Sequence, residues 1–170
     1  IILILAVGIG HQIVPIRTFY SMEKGIVLYV IRFLITIGSA ILYIFLHELV
    51  HGMFIRYYSG IRPIYGFTGI YAYAGSSAYF NKKSYLVIAL APIVVWGIVI
   101  TVVLIFITEY WFWAAYIIQI INISGAAGDL YVTWVMTSLH EDILIQDTGV
   151  SMTVYSYENN TSKGNIANEF

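Results

Sequence analysis

The sequence predicts a mainly α fold: a polytopic bundle of about four transmembrane helices, with a short β-like loop between the second and third and a small C-terminal strand. Of the 170 residues, 60% are hydrophobic and only 10% are charged, whereas about a quarter of an ordinary globular chain is charged. The apolar residues also fall in runs about as long as a bilayer crossing. A chain of this composition is not disordered as a whole, because disorder needs low hydrophobicity and high charge.

Net charge and cysteine content narrow the possible partners and cofactors. The net charge of -1 leaves no basic face to neutralise phosphates, which argues against a nucleic-acid partner. With no cysteine in the chain, disulfides, thiolate nucleophiles and Cys-ligated metals are excluded. Any bound metal must therefore be held by histidine and carboxylate.

Four apolar segments make up the predicted bundle. A crossing of the ~30 Å core needs about 20 helical residues, so the run at 1–10 is interpreted as the end of a first span whose beginning is missing. The second and third spans are predicted at 25–55 and 84–107, and Pro92 is expected to kink the third. The fourth is predicted at 111–136, with tryptophans near both ends as in an interfacial aromatic belt.

The segments outside the spans predict short strands and a tail. Residues 57–83 are rich in Gly and Tyr, and their short alternating pieces predict turns and strands. From Ser138 the chain is expected to leave the membrane, with a strand at 150–157 and a disordered polar end at 158–170. We therefore predict a membrane-embedded domain over residues 1–137 and a cytoplasmic, partly disordered tail over 138–170.

Basic residues predict the orientation of the spans. Four of them follow the second span, against two before it (Arg56, Arg62, Lys82 and Lys83; Arg17 and Lys24). The side richer in Lys and Arg is normally cytoplasmic. The C-terminal tail, two spans further on, is then cytoplasmic as well.

Residues 47–51 read His-Glu-Leu-Val-His and carry the clearest chemical signal in the chain. On a helix, His47 and His51 lie one turn apart on one face, so both imidazoles can reach one metal ion. Glu48 is offset by about a third of a turn; in such motifs it accepts a proton from the metal-bound water. Capping of a helix end, the simpler explanation, does not call for this order of residues.

Two histidines leave a zinc site incomplete, because such a site usually has three protein ligands. His11, His140 and the carboxylates are the remaining candidates, and Asp129 stands out among them. It lies in the predicted fourth span beside small residues that permit close helix packing, where a carboxylate needs a cation or a paired charge. Pairing with Arg32 or a buried Tyr is the alternative for Asp129. Asn122 lies seven residues before Asp129 and so on nearly the same helix face. It suits either substrate orientation or an interhelical hydrogen bond.

These motifs together resemble a known family. The His-Glu-x-x-His helix, the Gly/Tyr-rich loop, Ala-Leu-Ala-Pro at 89–92, Gly-Asp at 128–129 and Gln-Asp-Thr-Gly at 146–149 resemble the putative zincin peptidases, a domain-of-unknown-function family of membrane proteins. The resemblance covers about residues 43–155. More distantly, the chain is similar to the site-two intramembrane metalloproteases.

The resemblance implies a role for each candidate residue. His47 and His51 correspond to zinc ligands, Glu48 to the catalytic base and Asp129 to the third ligand. The site-two enzymes place that aspartate before a glycine, whereas here Gly128 precedes it. The implied location is a prokaryotic cell membrane, since the family occurs mostly in prokaryotes.

The expected function is zinc-dependent hydrolysis of a peptide bond in or next to the membrane, with a membrane protein or peptide as substrate. One alternative is a non-catalytic membrane protein that binds or transports metal ions through the same residues, although a transporter needs no base such as Glu48. Another is a protease for lipidated C-termini, which normally has a glutamate as third ligand. Asp147-Thr148-Gly149 is interpreted as a turn and not as an aspartic-protease site, because that chemistry needs two such carboxylates.

Overall fold

The computed structural model describes residues 2–156 and is mainly helical, with short strands. The helices are α1 (Ile2–Ile13), α2 (Arg17–Tyr20), α3 (Ile26–Ser59), α4 (Lys82–Phe106), α5 (Glu109–Gly125) and α6 (Ala127–Thr137). The strands are β1 (Ile64–Phe67), β2 (Ala72–Gly75), β3 (Tyr79–Asn81), β4 (Ile143–Asp147) and β5 (Met152–Ser156). The predicted disordered end at 158–170 lies outside the described residues.

Two helices of the described chain, α3 and α4, are long and apolar enough to cross a membrane. They coincide with the predicted second and third spans. Helix α4 continues through Pro92 without interruption, so the chain stays helical at the position where a kink is predicted. Helix α1 is apolar but has only 12 residues.

The predicted fourth span is not one helix. Helix α5 ends at Gly125 and α6 begins at Ala127, and the N–H of Ala126 bonds to the carbonyl of Ser124. Glycines at 125 and 128 each cost about 1 kcal/mol relative to alanine within a helix, which weakens the helix at this point. The predicted fourth span over 111–136 is therefore not confirmed, and only two candidate spans are found among the described residues.

The chain forms two compact units, the first made of residues up to 44 together with 93–126. In this unit the buried Arg32 guanidinium donates hydrogen bonds to main-chain carbonyls (Thr18, Phe19, Ser21 and Tyr110). The Tyr43 hydroxyl donates to Asn122 Oδ1 at 2.7 Å, and Asn122 Nδ2 donates to the carbonyl of Ile93 at 3.2 Å. Asn122 thus makes interhelical hydrogen bonds, one of the two roles its position allowed.

The second unit, residues 45–92 and those from 127 onward, carries the strands. Strands β1 and β2 form an antiparallel hairpin, and β3, β4 and β5 form an antiparallel sheet in that order. The sheet packs on the ends of the helices around one apolar core (Ile55, Ala78, Phe80, Tyr85, Ile88, Met136, Ile143 and Ile145). Strands in the 57–83 loop and at 150–157 were predicted, whereas β4 was not.

Candidate metal centre

Helix α3 brings His47, Glu48 and His51 together in the second unit. The two imidazoles are four residues apart, and their ring centroids lie 4.9 Å from each other. Both residues are nearly buried, with 8% and 9% of their surface exposed. One potential ligand atom from each of the three residues lies within 4.8 Å of the others. A Glu48 carboxylate oxygen is thus within 4.8 Å of a ring nitrogen of each histidine.

Asp129 reaches both imidazoles from α6. Its Oδ2 lies 3.2 Å from His47 Nε2, and its Oδ1 lies 3.4 Å from His51 Nε2. The helix break at Ala126 has a direct effect here, because it places Asp129 in the first turn of α6. A carboxylate is favoured at that end of a helix by the backbone dipoles. Arg32, the alternative partner, is occupied by main-chain carbonyls in the first unit.

The side chains of His47, His51 and Asp129 fit a zinc ion in distance and in donor chemistry. Ligands that are each ~2.0 to 2.2 Å from a tetrahedral zinc lie about 3.4 Å from each other, close to the two distances measured here. Imidazole nitrogen and carboxylate oxygen are both ordinary zinc ligands. The Asp129 side chain remains 24% exposed, so the group is accessible on the carboxylate side.

The hydrogen bond on the far side of His51 specifies which ring nitrogen is free. Its Nδ1 lies 2.9 Å from the main-chain carbonyl of Ile88, and a carbonyl oxygen can only accept. The hydrogen must therefore sit on Nδ1, which turns the Nε2 lone pair of the neutral ring towards Asp129. Two acceptors that face each other at 3.4 Å need a cation between them, either a proton or a metal ion.

Strand β2 runs beside Glu48 with an open backbone edge. At the hairpin turn the N–H of Thr68 donates a hydrogen bond to the carbonyl of Tyr71, so these two residues form a hydrogen-bonded pair. Hydrogen-bonded and non-hydrogen-bonded pairs alternate from there along the two strands. Ala72 and Ala74 fall on the non-bonded pairs, so their N–H and C=O groups point away from β1. The Ala74 amide accordingly interacts with the Glu48 carboxylate.

A cavity of about 440 Å³ opens in front of these groups. It is lined by Glu48, His51 and Asp129 on one side and by β2 on another. The turn at 147–149 supplies a further wall, with Asp147 and Gly149 facing the cavity. This turn lies against β2 so closely that a Cβ on Gly75 would stand 2.1 Å from the backbone of Thr148.

The phenol of Tyr65 on β1 lies over the helix that carries the histidines. A Cβ on Gly52, the residue after His51, would stand 2.0 Å from the Tyr65 hydroxyl oxygen. Partial burial and the nearby Glu48 carboxylate both raise the pKa of Tyr65. The phenol therefore stays protonated at neutral pH and leaves no negative charge beside Glu48.

The other histidines lie elsewhere. His11 Nδ1 accepts a hydrogen bond from the Ile16 N–H in the first unit, and His140 is exposed after α6. Sequence reasoning expected a strand of the 57–83 loop to pair with the substrate, but it did not identify the Ile88 carbonyl or Asp147 as parts of the site. The Gln-Asp-Thr-Gly pattern was the one available signal for Asp147.

A model of the family described as putative zincin peptidase matches residues 40–144 of this chain, which is more than half of its length. The matched range contains His47, Glu48, His51 and Asp129. No curated protein and no solved structure matches the chain.

Proposed function

Because the chain belongs to the putative zincin peptidase family, we propose that it is a membrane-embedded zinc metallopeptidase that hydrolyses a peptide bond in or next to the membrane. The observation that carries this proposal is the convergence of three elements on one cavity. Helix α3 contributes His51 and Glu48, α6 contributes Asp129, and β2 contributes a backbone edge. His47 lies behind Asp129, with its Nε2 3.2 Å from Asp129 Oδ2.

In this proposal His47, His51 and Asp129 hold one zinc ion, and Glu48 stays outside the ligand set. When bound, zinc supplies the Lewis acidity that activates a water and polarises the scissile carbonyl. Glu48 takes a proton from the attacking water and passes it to the departing amine. The bond that forms joins the water oxygen to the carbonyl carbon, and the bond that breaks is the amide C–N.

We infer that the substrate, a membrane protein or peptide, binds as an extended strand. Helical substrates satisfy their own backbone, so the cleaved segment must unwind before it can be hydrolysed. The N–H and C=O groups of Ala72 and the C=O of Ala74 lie on an edge of β2 that pairs with no other described strand, and the Ala74 amide interacts with Glu48. Strand addition to such an edge is a common mode of peptide recognition. A metal transporter has no use for this edge or for a base beside the ion, which favours the peptidase over the transport alternative.

We propose that α3 and α4 cross the membrane and that α1 and the α5–α6 pair complete a bundle of about four segments. Support comes from the length of α3 and α4 and from the exposure of large apolar side chains such as Leu34, Phe45 and Ile98. Residues 1–137 then form the membrane domain, and residues 138–170 form a cytoplasmic tail that returns two strands to the site. The protein lies in the cell membrane in this proposal.

Zinc content tests the metal centre directly. The purified protein in detergent should bind about one zinc per chain, and the His47→Ala/His51→Ala variant should bind none. His140→Ala, which removes an exposed histidine, is the matched control. Equal zinc in the wild type and the double variant would contradict the proposal. Cleavage of quenched peptides with apolar segments, lost in the same variant and retained in the control, tests the peptidase activity.

A further inference from the structure

We propose that Pro92 is a positioning residue for the metal centre: it leaves the Ile88 carbonyl free to bind His51 and so fixes the ring nitrogen that faces the metal. The proposal concerns a residue that touches neither metal nor substrate. It rests on the zinc site proposed above, and its central measurement is made on the zinc-free protein.

The first step is the backbone chemistry of α4. In an α-helix the N–H of each residue bonds to the carbonyl four residues earlier, so the partner of the Ile88 carbonyl would be the N–H of residue 92. Proline has no N–H, and Pro92 lies inside α4. The Ile88 carbonyl therefore lacks its usual donor from within the helix.

The second step is the replacement donor. His51 Nδ1 lies 2.9 Å from the Ile88 oxygen, so the imidazole supplies the hydrogen bond that Pro92 cannot. Ile88 is 4% exposed and Pro92 is fully buried, so the Ile88 carbonyl lies in a largely buried part of the helix. A buried carbonyl without a donor is costly, and this cost holds the His51 ring in place.

The third step links this bond to the metal. A histidine ligand normally donates its other ring N–H to a carboxylate, carbonyl or water, which sets its tautomer and orientation. The hydrogen on Nδ1 leaves Nε2 free beside Asp129 Oδ1, at 3.4 Å. An alanine at 92 would restore an N–H that competes with His51 for the same oxygen. The ring would then be free to adopt the tautomer with hydrogen on Nε2 alone, and a protonated Nε2 cannot bind the metal beside Asp129.

The protonation of each His51 ring nitrogen can be read from ¹⁵N NMR of the zinc-free protein. In the wild type, His51 Nδ1 should carry a hydrogen whether or not Nε2 is also protonated, because the Ile88 carbonyl accepts from it; the signals are assigned by their loss in His51→Gln. In Pro92→Ala a population whose Nδ1 carries no hydrogen should appear, and zinc affinity should fall by about 10- to 100-fold, as for other losses of an outer-shell partner. Pro63→Ala, which removes a loop proline of the same unit, should change neither quantity.

Two results would overturn the proposal: a wild-type His51 whose Nδ1 carries no hydrogen, or a folded Pro92→Ala with the wild-type protonation of Nδ1 and the wild-type zinc affinity. If Pro92→Ala does not fold, Pro92→Ser restores the same N–H and takes its place. Neither measurement depends on turnover. Absence of peptidase activity would refute the proposed function and leave the role of Pro92 intact. An unchanged protonation of His51 in Pro92→Ala would refute the role of Pro92 and leave the proposed function intact.

Discussion

The hydroxyl of Tyr85 donates a hydrogen bond of 2.5 Å to Oδ2 of Asp147, joining the start of α4 to the end of β4. The second carboxylate oxygen of Asp147 accepts the Gly149 N–H at 2.8 Å, and its main-chain carbonyl accepts the Ser76 N–H at 2.7 Å. One residue thus ties helix, hairpin and C-terminal turn together at the wall of the cavity.

Removal of the Tyr85 hydroxyl should destabilise the protein at this side of the cavity. Tyr85→Phe keeps the ring in the core and takes one donor from the Asp147 carboxylate, so the free energy of unfolding should fall by about 1 to 3 kcal/mol. Thermal unfolding in detergent measures this change. Tyr131→Phe, which alters an exposed tyrosine of α6, is the control, and equal melting temperatures for the two variants would contradict the prediction.

Glu48→Gln should retain zinc and the fold while lowering turnover by about 100- to 10,000-fold, the usual contribution of a general base. The amide keeps the size of the side chain and loses its ability to accept the water proton. Metal analysis and peptide cleavage on the same preparation separate the two effects, with the exposed Asp142→Asn as the control. Because a Glu48 oxygen lies within 4.8 Å of a ring nitrogen of each histidine, loss of zinc in this variant would make Glu48 a ligand and refute the assignment.

Asp129→Asn should weaken zinc binding by more than the about 10- to 100-fold cost of losing an outer-shell partner, because it removes a negative charge and leaves a poorer oxygen ligand. Competition with a chromophoric chelator measures the affinity. Glu109→Gln is a close control, since it neutralises the acid in the first turn of α5, away from the site. Unchanged affinity in Asp129→Asn would move the third ligand to another residue.

Gly52→Ala should impair activity more than stability. Alanine favours the helix by about 1 kcal/mol, yet its Cβ would stand 2.0 Å from the Tyr65 hydroxyl oxygen and 2.5 Å from Cζ. The Tyr65 ring must move, and a shift of the hairpin by ~1 Å beside Glu48 can cost up to ~100-fold in rate. Gly38→Ala on the same helix meets nothing within 4 Å and should be neutral. Adding Tyr65→Ala to Gly52→Ala should return activity to that of Tyr65→Ala alone; no recovery would refute the steric explanation.

The orientation of the spans predicts a cytoplasmic hairpin. A single cysteine at Ile70, which is 90% exposed, should react with a membrane-impermeant maleimide only after the cells are lysed. A cysteine at the exposed Glu23, before α3, should react in intact cells. The chain has no other cysteine, so the signals are unambiguous, and the opposite labelling pattern would reverse the topology.

Those parts of the site that depend on local geometry could be predicted from the sequence. The spacing of His47 and His51 places both rings on one face of any helix, and the cost of a carboxylate in an apolar segment singled out Asp129. Neither argument needed the position of another element. Strands in the Gly/Tyr-rich loop were also predictable, because their alternating pattern is local.

The features that were missed depend on contacts between distant parts of the chain. Strand β4 has only five residues, and its pairing with β3 joins positions more than sixty residues apart. The Ile88 carbonyl has no side-chain signature, so its bond to His51 is visible only when α3 and α4 are placed together. The division between α5 and α6 reflects a local weakness at two glycines, and an apolar composition on both sides obscured it.

On the proposed mechanism, the closeness of Gly75 to the turn at 147–149 bears on when the site is completed during synthesis. A nascent chain that ends at residue 100 carries His47, Glu48 and His51 but lacks Asp129 and the last wall of the cavity. Such a chain cannot hold the metal in the proposed three-ligand site. Hydrolysis would then have to wait until translation has passed residue 149.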